Sequence, residues 1–216
     1  MASQLHIDVP GRKPELDQPC FIIAEAGVNH NGSLETARRL IDAAVQAGAD
    51  AVKFQTFKAD RLVTSEAPKA KYQIHTTDAT ESQYEMLHRL ELSFEAHCEL
   101  MAYCQEKDIL FLSSPFDEES ADLLMKLEVA AFKIPSGELT NLPFLNYVAR
   151  KGKPMIVSTG MAHLGEVEAA VHTIEEAGNQ DLVLLHCVSN YPAEPADVNL
   201  RAMLTMATAF GVPIGY

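Results

Sequence analysis

Residues 21–56 read FIIAEAGVNHNGSLETARRLIDAAVQAGADAVKFQT, and the order of patterns within them decides the fold. The apolar run Phe21–Ala26 is short, β-branched and broken by the turn AGVNHNGS. Apolar residues then recur at helical spacing from a Ser33 start, with Glu35 close behind it, to Gly48. Ala51–Thr56 is a second short apolar run. Strand, capped helix and strand in this order make a βαβ unit with parallel strands.

The same alternation continues to the end of the chain. Strands are expected at 109–114, 131–136, 155–159, 182–188 and 213–216. Helices are expected at 93–108, 119–127, 143–152, 164–178 and 200–211, with Asn141 opening one and Gly152 and Gly178 closing two. The predicted class is α/β, a (β/α)8 TIM barrel present as an incomplete barrel of about seven strands. A complete barrel takes about 250 residues, so the chain is expected to stop before the last strand. Residues 1–19 are read as an N-terminal extension and 20–216 as the barrel domain. The first turn holds neither GxGxxG nor GxxxxGK[ST], which disfavours dinucleotide and P-loop binding. The connection 57–81 is unusually long and would lie on the active-site face as a lid, or be a floppy insertion.

Composition bounds the partners. The 216 residues are 47% apolar and 22% charged, an ordinary globular balance. Lys plus Arg number 17 against 30 Asp plus Glu, a net charge of −13. That argues against nucleic-acid and anionic-membrane surfaces, while a few concentrated cations could still hold an anionic small molecule. No targeting signal and no apolar run of about 18 residues is present, and Cys20, Cys98, Cys104 and Cys187 lack metal-ligand spacing. A cytoplasmic protein with reduced thiols is expected.

Polar residues interrupt the strands near their C-terminal ends, where a barrel builds its active site. Glu25 shares a strand face with Phe21 and Ile23, and Lys53 with Gln55. The third strand ends in Ser113-Ser114-Pro115-Phe116. The fourth carries Lys133, followed by Ser136 and Glu138, and the fifth ends in Ser158. The sixth carries His186, then Ser189 and Tyr191. Each has a bland reading: Glu25 and Lys53 as a structural ion pair, His186 as a satisfied core histidine, the serines as strand-end hydroxyls. Together, two lysines and a carboxylate are costly to bury unless they serve a ligand, and lysines with hydroxyls suit phosphate or carboxylate.

With FIIAEAGVNHNGS, AGADAVKFQTF, FLSSPFD, AFKIPSGELTN, KPMIVSTGMA and LLHCVSNYP in this order, the sequence resembles the N-acetylneuraminate (sialic acid) synthase family. The resemblance implies a (β/α)8 barrel followed by an antifreeze-like C-terminal domain, absent from this chain, in a homodimer. It implies condensation of phosphoenolpyruvate with an N-acetylated sugar aldehyde, N-acetylmannosamine first among acceptors, giving a nonulosonic acid and phosphate. Lys53, Ser114, Lys133, Ser136, Ser158 and Ser189 would surround phosphoenolpyruvate. Gln55, Phe116 and Tyr191 would face the sugar, with Glu25 as general acid/base and Glu138 beside the same centre. The resemblance also implies a divalent metal, manganese or magnesium, whose histidine ligands lie beyond residue 216, so the chain alone is expected to be inactive. Ser189 and Pro135 depart from common family residues and leave the sugar open. The alternatives are a legionaminate or pseudaminate synthase acting on a diacetamido sugar, a Schiff-base aldolase using Lys53 or Lys133, and a non-catalytic ligand-binding barrel.

Overall fold

The computed structural model describes residues 19–67, 81–190 and 192–216. They fold as two compact units, one of Phe21–Leu127 and one of Glu128–Tyr216 with Pro19 and Cys20. Among the described residues no helix is long and apolar enough to cross a membrane.

The first unit runs β1 (Ile23–Gly27), α1 (Leu34–Gln46), β2 (Ala51–Thr56), α2 (Ala59–Leu62), α3 (Gln83–Leu90), α4 (Phe94–Glu106), β3 (Leu110–Pro115) and α5 (Glu118–Lys126). Its three strands pair in parallel in the order β1-β2-β3. The second unit runs β4 (Phe132–Ile134), a 3₁₀ turn (Ser136–Glu138), α6 (Leu142–Ala149), β5 (Met155–Ser158), α7 (Leu164–Glu176) and β6 (Leu182–Leu185). A second 3₁₀ turn (Pro195–Asp197), α8 (Ala202–Phe210) and β7 (Ile214–Gly215) follow. Its strands are also parallel, in the order β4-β5-β6-β7. The expected α/β class and seven strands are therefore present, in two sheets, and no closed barrel is formed among the described residues.

Helix starts follow the side chains that can accept an orphan N–H. Ser33 Oγ accepts from Thr36 N, Ser93 Oγ from Ala96 N, Asp117 Oδ1 from Ser120 N and Asn141 Oδ1 from Phe144 N. Each helix then buries an apolar stripe: Ala37, Ile41 and Ala44 on α1, and Val167, Ala170, Val171 and Ile174 on α7. Full burial of an Ile or Val side chain contributes about 1.5–3 kcal/mol.

Two strand ends are corrected. β4 stops at Ile134 rather than 136, because Pro135 has no N–H for the ladder and Ser136 enters the 3₁₀ turn. β6 stops at Leu185 rather than 188, although the His186 N–H still donates to Gly215 O at 2.9 Å. The connection after β2 holds helical structure in its described residues. It opens with α2, and α3 follows it, started by a reciprocal capping box in which Ser82 Oγ accepts from Glu85 N and Glu85 accepts from Ser82 N. Residues 68–80 of that connection lie outside the described residues.

Two buried histidines flank the sheet of the first unit. His97 Nδ1 donates to Ser93 O at 2.8 Å, so its Nε2 accepts from Thr56 Oγ1, also at 2.8 Å. Thr56 Oγ1 in turn accepts from Ser113 Oγ at 2.7 Å, which satisfies all four groups with a neutral imidazole. His30 Nδ1 accepts from Gly32 N, and its Nε2 is buried without a hydrogen-bond partner. Desolvation, then the nearby His97, lowers the His30 pKa from 6.5 to about 4, and desolvation lowers that of His97 as well.

These groups are neutral when folded and take a proton near pH 6.5 once unfolded. Between that value and the lowered folded one, the unfolded chain binds more protons, so stability falls on acidification. Unfolding free energies from urea titrations should fall as pH is lowered from about 6.5 to about 4, by up to about 1.4 kcal/mol per pH unit for His30, with a further fall of the same sign from His97. His30→Gln and His97→Gln should each flatten that slope; an unchanged slope in both variants would contradict the neutral buried state.

Candidate functional site

In the first unit, register brings acid and base together. Glu25 lies opposite Lys53 in the β1–β2 ladder, and Lys53 Nζ meets Glu25 Oε2 at 2.6 Å. The partners differ in exposure, the Lys53 side chain at 8% and the Glu25 side chain at 41%. The ammonium is thus buried against a carboxylate that solvent or substrate can reach. A bulge between Glu25 and Gly27 shapes this edge. Gly27 has φ +53°, and a Cβ there would fall 2.8 Å from Glu25 Oε1 and 3.8 Å from Gln55 Nε2. The bare Gly27 backbone therefore leaves room for the carboxylate beside the Gln55 amide.

Gln55 lies opposite Ser114 in the β2–β3 ladder. The period-two alternation separates the two neighbouring serines. Ser113 belongs to the Thr56–His97 network, while Ser114 Oγ is buried with no hydrogen-bond partner. A buried hydroxyl left unsatisfied is a group waiting for a ligand or water. Phe116 is half-buried, edge-on to Phe57 at 6.2 Å and packed against the cluster of Phe57, Met86 and Leu90.

The stem of the long connection is tied down in the same unit. Glu91 accepts from Ala59 N at 2.7 Å and from Lys58 Nζ at 3.1 Å. Burial would raise the Glu91 pKa, but the Ala59 N–H, Lys58 and His88 outweigh it and hold the carboxyl below its ordinary value. Asp117 Oδ2 accepts from Lys58 N, Tyr84 donates to Asp60 at 2.7 Å, and Arg61 pairs with Glu119.

The second unit gathers its polar groups at the ends of β4, β5 and β6. Lys133 is buried, and its Nζ donates to Ser158 Oγ at 2.5 Å and Ile134 O at 3.0 Å. Ser158, accepting from the ammonium, keeps its own proton for another acceptor. Ser136 Oγ accepts from Gly160 N at 3.0 Å and lies 3.3 Å from Cys187 Sγ. Ser189 is exposed, and its Oγ borders the same glycine. Glu138 accepts from Asn141 Nδ2 at 2.8 Å, beside the α6 cap. His186 Nε2 donates to Val198 O at 2.8 Å, which is the satisfied-histidine reading. Tyr191 lies outside the described residues.

The structure therefore joins Glu25, Lys53 and Gln55 with Ser114 in one unit, and Lys133, Ser136, Ser158 and Ser189 in the other. Gly160 and Cys187 were missed by residue-type reading. Gly160 carries no side-chain chemistry, and Cys187 lacks metal-ligand spacing, although its place between His186 and Ser189 at a strand end is a signal. No cluster of three His, Cys, Asp or Glu able to hold a metal occurs among the described residues. Glu25 is taken by Lys53 and Glu138 by Asn141, so these residues do not fit a divalent metal centre. Within each unit the groups suit an anion: Lys53 with Gln55, Ser114 and the accessible Glu25 carboxylate in the first, and Lys133 with the Ser136 and Ser158 hydroxyls in the second.

A model described as the NeuB family matches residues 40–216. The N,N'-diacetyllegionaminic acid synthase of Legionella pneumophila is 52% identical over 213 residues, covering 96% of this chain and 60% of that protein. The N-acetylneuraminate-9-phosphate synthase of Homo sapiens is 37% identical over 209 residues, 96% of this chain and 57% of that protein. A crystal structure of N-acetylneuraminic acid (sialic acid) synthetase from Leptospira borgpetersenii, in complex with citrate, matches at a TM-score of 0.80 and 34% identity. It covers 92% of this chain and 65% of that one. The chain spans about 60% of the length of the curated relatives it matches. The shared fold is of the α/β barrel class.

The unequal burial of the Lys53–Glu25 pair makes a stability prediction. Glu25→Gln leaves a buried ammonium without its carboxylate and should cost about 1–3 kcal/mol in urea denaturation, less than a fully buried pair would lose. Adding Lys53→Met to Glu25→Gln should recover most of that loss; a double variant weaker than the single one would refute the account.

Proposed function

Because the chain belongs to the NeuB family, we propose that the complete protein condenses phosphoenolpyruvate with an acylamino sugar aldehyde, forming a nonulosonic acid and phosphate. The single observation that carries this reading is the burial of two ammonium groups at strand ends, Lys53 on the Glu25 carboxylate and Lys133 on the Ser158 hydroxyl, in a chain of net charge −13. Such groups match the carboxylate and phosphate of phosphoenolpyruvate.

In the reaction, the phosphoenolpyruvate C3 forms a bond to the aldehyde carbon, whose oxygen becomes a hydroxyl after taking a proton. Water adds at C2, the C2–O bond to phosphate breaks, and the ketone remains as phosphate leaves. Lys53, Lys133 and the hydroxyls of Ser114, Ser136, Ser158 and Ser189 hold the anionic groups. Glu25, reachable from solvent and oriented by Lys53, exchanges protons at the reacting centre. Gln55, Phe116 and Tyr191 are proposed to contact the sugar, and Glu138 to border the same centre.

The acceptor is proposed to be a diacetamido sugar rather than N-acetylmannosamine. This rests on 52% identity to a diacetyllegionaminic acid synthase against 37% to an N-acetylneuraminate-9-phosphate synthase over nearly the same stretch. A manganese or magnesium ion, a second copy of the chain as partner, and a cytoplasmic location complete the proposal. The metal's ligands are proposed to lie beyond residue 216, as the family resemblance implies.

Phosphate release from phosphoenolpyruvate by the complete protein, with manganese and a panel of acylamino sugars, tests the reading. Release with a diacetamido sugar is expected; release with N-acetylmannosamine alone would move the assignment to sialate, and none with any sugar would overturn the synthase reading. Lys53→Ala should raise KM for phosphoenolpyruvate about tenfold or more, as loss of a hydrogen bond to a charged group does. Glu25→Gln should act mainly on kcat.

A further inference from the structure

Three oxygen atoms crowd one glycine at the end of β5. A Cβ built at Gly160 would lie 2.9 Å from Ser136 Oγ, 3.3 Å from the Cys187 carbonyl oxygen, and closer still to Ser189 Oγ. The residue is not among the glycines with positive φ, such as Gly27, Gly48 and Gly178. Its backbone would accept alanine, so close approach alone calls for glycine here. All these residues belong to the second unit.

The Gly160 N–H donates to Ser136 Oγ at 3.0 Å. A hydroxyl whose oxygen accepts one hydrogen bond keeps its own hydrogen to give. The neighbour within reach is Cys187 Sγ at 3.3 Å, and sulfur is a weak acceptor. An anionic oxygen brought to the same place is a far stronger one.

We propose that Gly160 is a positioning residue of an anion cradle: its amide and its missing side chain fix Ser136 and Ser189 as hydroxyl donors to phosphoenolpyruvate. Ser136 gives its hydrogen to the thiol when the cradle is empty and to the ligand when it is filled. Naming the ligand rests on the synthase reading above; the geometry asks only for a small phosphate- or carboxylate-bearing anion.

The test uses the complete protein. Gly160→Ala should weaken phosphoenolpyruvate binding about tenfold to a hundredfold, the loss of one or two hydrogen bonds to a charged group, as a rise in KM with a smaller change in kcat. In a Ser136→Ala, Ser189→Ala background, Gly160→Ala should add no further loss, since the clashing hydroxyls are gone. Unchanged affinity in Gly160→Ala, or an equal loss in both backgrounds, would overturn the inference. Should Gly160→Ala alone fail to fold, the triple variant, free of both hydroxyl clashes and left only with the looser contact to the Cys187 carbonyl, is compared with the double one: equal affinity supports the inference and a further loss sinks it. Calorimetry with phosphoenolpyruvate and with inorganic phosphate separates this from the synthase reading. Absent turnover with intact anion binding that Gly160→Ala weakens would end the latter and keep the cradle.

Discussion

Burial of two ammonium groups within apolar parallel strands is the constraint around which the polar residues are arranged. A lysine taken out of water needs hydrogen-bond partners at its Nζ, or it gives up its charge. Lys53 meets the requirement with a carboxylate supplied by ladder register, and Lys133 gives hydrogen bonds to the Ser158 hydroxyl and the Ile134 carbonyl. Both solutions consist of groups that an anionic substrate can join. The conformation of Gly27, the bulge beside it and the early end of β4 are the local adjustments that make room for them.

Parallel strands explain why this chemistry collects where it does. Ladders such as Glu25 opposite Lys53 and Gln55 opposite Ser114 set equivalent strand ends side by side, so one polar residue per strand suffices to build a constellation. The outward alternation gives neighbouring residues a different task. Ser113 and Thr56 serve His97 on α4, one residue away from Ser114 and Gln55. The chain belongs to the NeuB family and spans about 60% of the length of its curated relatives.

The fold was readable from the sequence wherever periodicity and caps agreed. Six helices and seven strands are found near their expected places, with Ser33, Asp117 and Asn141 acting as the local signals imply. α3 escaped although Ser82-Gln83-Tyr84-Glu85 carries the capping-box spacing, because its eight residues follow a long polar stretch that dominates the window. β4 and β6 were overextended because apolar character outlasts ladder geometry. In the site, charged and hydroxyl side chains were identified from type and strand position. Gly160 was not, since its contribution is an absence of atoms that only coordinates reveal, and neither was the buried nitrogen of His30.

The tethered connection after β2 has a consequence for how such proteins diverge. On one side α2 is held through Lys58, Ala59, Asp60 and Arg61; on the other, α3 is held by its own cap, by Tyr84 and by an Arg89–Glu81 pair. Both stems are therefore fixed whatever lies between residues 67 and 81. Closing a loop on fixed stems grows costlier only with the logarithm of its length, about 0.6 kcal/mol for each doubling. Insertions, deletions and wholesale replacement there leave the strands and their lysines untouched. Descendants of one ancestral fold can then exchange this stretch almost as a cassette while the strands and the Lys53–Glu25 pair stay as inherited.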